Sequence, residues 1–204
     1  LRGAYPFVNV KLSDKDLPLK AELTAFTPFI PLDALRSGIP GFYLDYRITN
    51  TSSKTCDISV CGTVTNRPPH NYAVDNVYTE RGGLKGLLFE SKECPPDDRY
   101  YGDIALFTPE RDITVKPVWD NKEWWDGAHD FVDDFAGDGR LESGITDGEF
   151  KLNFRVGSLS VSKRLMPGAS ETIRFIISWC YPNRPNWWEN TALAPALNRP
   201  RFVK

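Results

Sequence analysis

Apolar and polar residues alternate with period two along most of the chain. In FYLDYRIT, residues 42–49, Phe42, Leu44, Tyr46 and Ile48 fall on one face and Tyr43, Asp45, Arg47 and Thr49 on the other. That is the alternation of a half-buried β-strand. CDISVCGTV, residues 56–64, alternates again with Ile58, Val60 and Val64 together, and the turn formers NTSSKT lie between the two runs. The pair predicts a β-hairpin with a longer loop. Upstream, Leu19, Ala21, Leu23 and Ala25 alternate; downstream come the short apolar runs LKGLLFES, DIALFT and DITVKPV. EFKLNFRV places Phe150, Leu152, Phe154 and Val156 on one face, SLSVSKRL places Leu159, Val161 and Leu165, and ETIRFIISW directs Ile173, Phe175, Ile177 and Trp179 inward. Roughly nine or ten short strands separated by Gly, Pro and Asp predict an all-β fold, an antiparallel β-sandwich.

Two segments break the alternation. TAFTPFIPLD, residues 24–33, sets Pro28 and Pro31 around Phe29 and Ile30. Proline at both ends excludes a continuous ladder and a helix, so the stretch reads as a rigid crossover whose apolar side chains still bury. The second break is a helical insertion around residues 121–137. Trp124, Ala128, Phe131 and Phe135 recur at helical spacing, and the Gly137-Asp138-Gly139 run supplies a stop. After the last strand the chain turns Pro- and Asn-rich and loses its period, which divides it into a sandwich domain, 1–185, and a tail or linker, 186–204.

Composition narrows the functional classes. Twenty-five basic residues against 27 acidic leave a net charge of −2, without the basic excess of a nucleic-acid binder. No apolar run reaches the length of a membrane span. The N-terminal residues lack the apolar core of a secretory leader, which gives a cytoplasmic expectation. The four cysteines (Cys56, Cys61, Cys94, Cys180) include no C-x-x-C and are expected as free thiols. With only His70 and His129 as histidines, no zinc site is expected, and the calcium-loop reading of DDFAGDG fails at Ala136 and Ile145, where oxygen ligands are required. No nucleophile elbow and no phosphate-binding loop occurs, so neither a cofactor nor a catalytic residue is assigned. The tryptophans carry the remaining signal. Trp119, Trp124, Trp125 and Phe131 lie in or beside the helical insertion, and Trp187 and Trp188 lie in the tail. Such rings suit either a domain interface or the apolar face of a carbohydrate, the former being preferred.

Several longer motifs occur together. Glu22, Ala25, Phe26, Thr27, Pro28, Phe29, Ile30 and Pro31 fit the pattern E-x-x-A-F-[ST]-P-F-I-P, and a strand ending Thr49-Asn50-Thr51-Ser52 follows. YGDIALFT, WWDGAHDFVDDFAGDGRLES and FIISWCYPNRPNWW come later in the same order. This series resembles the N-terminal domain of glycoside hydrolase family 116, which includes bacterial β-glucosidases and non-lysosomal glucosylceramidases. The resemblance implies a non-catalytic sandwich that packs in cis against a larger C-terminal (α/α)6 glycosidase domain. That domain carries the nucleophile and the acid/base carboxylate of a retaining β-glycosidase. Nothing in this chain matches it, so no catalytic residue is carried over. A free-standing carbohydrate-binding module is the alternative.

Overall fold

The computed structural model describes residues 1–66, 72–119, 126–142 and 155–183. They form an antiparallel β-sandwich of unequal sheets. In chain order the elements are β1 (Arg2–Ala4), β2 (Phe7–Leu12), β3 (Leu19–Phe26), α1 (Ala34–Ser37), β4 (Gly41–Asn50), β5 (Cys56–Asn66), β6 (Val74–Arg81), β7 (Leu84–Ser91), β8 (Asp103–Thr108), β9 (Ile113–Lys116), α2 (Asp126–Asp138), β10 (Arg155–Leu165) and β11 (Ser170–Cys180). The large sheet has eight strands in the order β1-β2-β3-β4-β11-β8-β7-β6, and the small sheet has three in the order β5-β10-β9. The core lies between them. Ile48 of β4, Phe175 and Ile173 of β11, Leu106 of β8 and Leu87 and Phe89 of β7 meet Ile58 of β5 and Leu159, Val161 and Leu165 of β10. These are inward positions of the alternating runs, and their burial drives the two faces together.

The predicted hairpin over residues 42–64 does not form. β4 pairs with β3 and β11, whereas β5 pairs with β10 in the other sheet. Each strand has an apolar face, and the intervening turn carries the chain across the core so that Ile48 and Ile58 share one cluster instead of lying side by side. Asn50 makes this crossing. It is fully buried, and its amide donates to the carbonyls of Lys54 at 2.7 Å and Leu165 at 3.0 Å. Its Oδ1 accepts from the Ser52 N–H at 2.9 Å and hydroxyl at 2.8 Å. Its backbone bonds Ala169 and Gly168. One side chain thus ties the β4–β5 crossing to the β10–β11 crossing. Asn50-Thr51-Ser52 also spells an N-glycosylation acceptor, but burial and full bonding close that amide to transfer in the folded chain.

The segment at residues 27–40 joins β3 and β4, which are neighbours in one sheet; it is a long hairpin connection and not a crossover between distant strands. β1, β2 and β6 were not anticipated. No residue of β1 or β2 belongs to the core cluster, and β6 turns the polar Asn76 inward, where its amide donates to the Pro117 carbonyl at 2.6 Å. Both circumstances blur the period.

Candidate functional site

Trp124, Trp125, Trp187 and Trp188 lie outside the described residues. Trp119 and Phe131 lie within them and meet, their rings stacked at 4.3 Å and 14°, with Phe135 following at 6.1 Å from Phe131. The indole N–H of Trp119 donates to Ser158 Oγ at 2.8 Å. Strand β10 explains this seat. It alternates inward Leu159 and Val161 with outward Ser158, Ser160 and Ser162, which pair across to Thr63, Cys61 and Ser59 of β5. The outer face of the small sheet therefore carries mostly small hydroxyl-bearing residues, with the Cys61 thiol and Lys116 among them, and α2 lies close upon it. Gly139 ends α2 with φ +74, and a Cβ there would stand 2.4 Å from Ser59 Oγ, so only glycine fits both the left-handed turn and the approach. Ser160 Oγ donates to the Gly139 carbonyl at 3.0 Å. The helical face differs from the one read in the sequence. Ala128 is exposed, while Asp134 is turned in to pair with the buried Lys116 at 3.5 Å and to accept the Glu142 N–H at 3.1 Å. Burial beneath this layer pushes the Cys61 thiol up to about 11.

An open cleft of about 550 Å³ runs beside α2, lined in part by Asp133, Asp134, Asp138, Arg140 and Glu142. Asp134 is committed to Lys116, and Arg140 pairs with Asp112 at 3.0 Å. Among the described residues no group of His, Cys, Asp and Glu could hold a metal ion.

A different feature stands at the end of the sandwich where β11 finishes. The 27–40 connection closes on itself. Ser37 Oγ accepts from the Ile30 N–H and donates to the Ile30 carbonyl, both at 2.9 Å. Asp33 donates its N–H to the same carbonyl at 3.0 Å and caps α1 by accepting from Arg36 N–H at 2.9 Å. This bonded loop holds its apolar side chains out to solvent. Leu32 is fully exposed and Leu35 is 86% exposed, with Phe29, Ile30 and Ile39 about half exposed. Leu32 also has φ +66, a left-handed conformation that costs a leucine about 1 kcal/mol. Tyr5 joins the group through an edge-to-face contact with Phe29 at 5.0 Å. The chain leaves the sandwich at the same end. Trp179 N–H donates to the Pro40 carbonyl at 3.1 Å, and the Asn183 amide donates to the Pro96 and Asp98 carbonyls, each at 2.7 Å.

On the outer face of the large sheet, Phe26 and Tyr43 stack at 5.0 Å and 16°. The Arg174 guanidinium lies 5.1 Å from the Tyr43 centroid and 5.8 Å from that of Phe26, locked by two 2.7 Å bonds to Asp45. Ring faces occupied by each other and by a cation are not free to stack on a sugar. Elsewhere in the large sheet, Glu90 of β7 and Asp103 of β8 stand directly opposite in register. Burial, with the Glu90 charge added, raises the Asp103 carboxyl. Because the folded value lies above the unfolded one, stability is lost as pH rises between them, and the penalty is complete above the folded value. Asp103→Asn is therefore expected to stabilise the fold at pH 7 by about 0.5 kcal/mol, the modest scale of a partly solvated like-charge pair. The gain should vanish near pH 3; urea unfolding at the two pH values measures it.

A family profile described as beta-glucosidase 2, glycosyl-hydrolase family 116 N-term, matches residues 1–199. No curated protein matches the sequence. Among solved structures, a "putative aldose 1-epimerase" from Klebsiella pneumoniae subsp. pneumoniae MGH 78578 superimposes with a TM-score of 0.42 at 11% identity, covering 86% of this chain and 52% of that one. This chain thus spans about half the length of that structure.

Proposed function

Because this chain belongs to the N-terminal domain family of glycoside hydrolase family 116, we propose that it is a non-catalytic β-sandwich that packs in cis against a C-terminal glycosidase domain and shapes the rim of its cleft. The observation that carries this reading is one cluster among the exposed apolar side chains. Tyr5, Phe29, Leu32, Leu35, Ile39 and Trp179 are all exposed and all lie at the end from which the chain departs. A patch of that kind marks an interaction site, and a domain tethered at the same end is held at high effective concentration over it. The partner's chemistry would be hydrolysis of a β-glucosidic bond by two carboxylates, one the nucleophile and one the acid/base, through a covalent glycosyl-enzyme. No residue of this chain takes either role.

Two measurements test the reading. The pure chain is expected to leave an aryl β-glucoside unhydrolysed, and turnover would overturn the non-catalytic assignment. Reading the frame beyond Lys204 should reveal a large helical domain, and small-angle scattering of the whole protein should show the two parts in contact. A missing domain, or a dumbbell profile, would remove the packing role. Calorimetric binding of a β-glucoside by the isolated chain would favour the carbohydrate-binding alternative.

A further inference from the structure

We propose that the Leu32–Leu35 tip of the 27–40 connection is the anchor of the interdomain interface, a preformed apolar knob that inserts into a pocket of the following glycosidase domain. This rests on the packing reading above and names the residues through which it acts.

Three features converge on this tip. The first is preorganisation. Ser37 holds both polar groups of Ile30, and Asp33 binds back to Ile30 while capping α1, so the loop has little freedom left to lose on docking. The second is display under strain. Leu32 adopts φ +66 and gains no contact from it, since its side chain is fully exposed. Backbone strain with no return inside the domain marks a binding segment. The third is position. The Asn183 amide is pinned to the Pro96 and Asp98 carbonyls at the same end of the large sheet, so the polypeptide that continues from there starts at the end that carries the knob. That favours a tethered occupant over a second copy, which would have to compete against a local concentration in the millimolar range. An aliphatic tip also suits a protein pocket better than a sugar, which would call for open aromatic faces. The aromatic corner of α2 is less suited to the role, because Trp119 is spent on Phe131 and Ser158.

The experiment uses the polypeptide in which this chain is followed by its glycosidase domain. Single variants Leu32→Cys and Leu35→Cys are compared with Leu17→Cys, an exposed residue at the opposite end of the sheet. Thiol labelling rates are read site by site by peptide mass spectrometry, so the native cysteines do not interfere. Both tip positions are expected to label at least ten-fold more slowly than Leu17→Cys in the native protein and at the same rate in denaturant. Equal native rates in a protein whose scattering profile shows docked domains would overturn the knob and leave the packing reading standing. Equal rates in a protein with separated domains would overturn both. Slow labelling that speeds up on dilution would assign the knob to a second copy and overturn the tethered occupant.

Discussion

Asn50→Ala is expected to destabilise the fold by about 3 kcal/mol or more, enough to remove most of the margin of a single domain. Truncation removes the amide donor to the buried Leu165 carbonyl and to the Lys54 carbonyl, which keeps the Ser52 hydroxyl, and the acceptor of the Ser52 N–H and hydroxyl, and it leaves a cavity where a fully buried side chain stood. Each buried group left without a partner costs about 1–3 kcal/mol. Asn50→Asp separates this from a simple cavity. It keeps the shape and the acceptor but turns an ionised oxygen toward main-chain carbonyls, so it should be as damaging at pH 7 and recover in part as pH falls and the carboxyl protonates. Urea midpoints of the three proteins at pH 7 and pH 4 provide the check. A loss below about 1 kcal/mol for Asn50→Ala would show that the crossing is held by the flanking strands alone.

The second large effect is expected at Gly86, where β7 passes between β6 and β8. A Cβ there would stand 2.0 Å from the Leu106 carbonyl oxygen and 2.8 Å from Phe107 Cα. Both are backbone atoms of the neighbouring strand, so no side chain can swing away. Gly86→Ala must push β7 from β8, and the pair carries Leu87, Phe89 and Leu106 into the core. The expected cost is about 3 kcal/mol or more, the range of overpacking with lost ladder bonds. A thermal midpoint within about 2 °C of the parent would contradict it. Gly3→Ala, in strand β1 with open space around it and no left-handed backbone, serves as the control for glycine removal by itself.

The strands that face the core on one side were legible because burial forces alternation. β4, β7, β8, β10 and β11 all follow the runs read from the sequence. Their neighbours were not legible, since period two specifies a face and not a partner. That is why residues 42–64 read as a hairpin and turn out to bridge two sheets. β6 stayed hidden because its inward Asn76 is polar, and β2 because it lies outside the core. The aromatic residues drew attention to α2 and the tail, yet Trp119 and Phe131 satisfy each other and the serine face of β10. The exposed tip of residues 27–40 had a compositional signal in its prolines and phenylalanines. Its decisive property, the left-handed Leu32, is a matter of backbone angle that leucine itself does not announce. The family signature around it was readable; what it displays was not.

The chain leaves the sandwich through β11, the fifth of eight strands, laddered to β4 on one side and β8 on the other. A pull or twist arriving along the polypeptide therefore enters the stiffest line of the sheet. An edge strand would peel one bond at a time, but β11 can only be drawn out by shearing two ladders together. The clamp of the Asn183 amide on the Pro96 and Asp98 carbonyls extends this anchoring to the last described residue. The sandwich is built to be carried as one piece, with its displacement transmitted from the root of that strand undiminished.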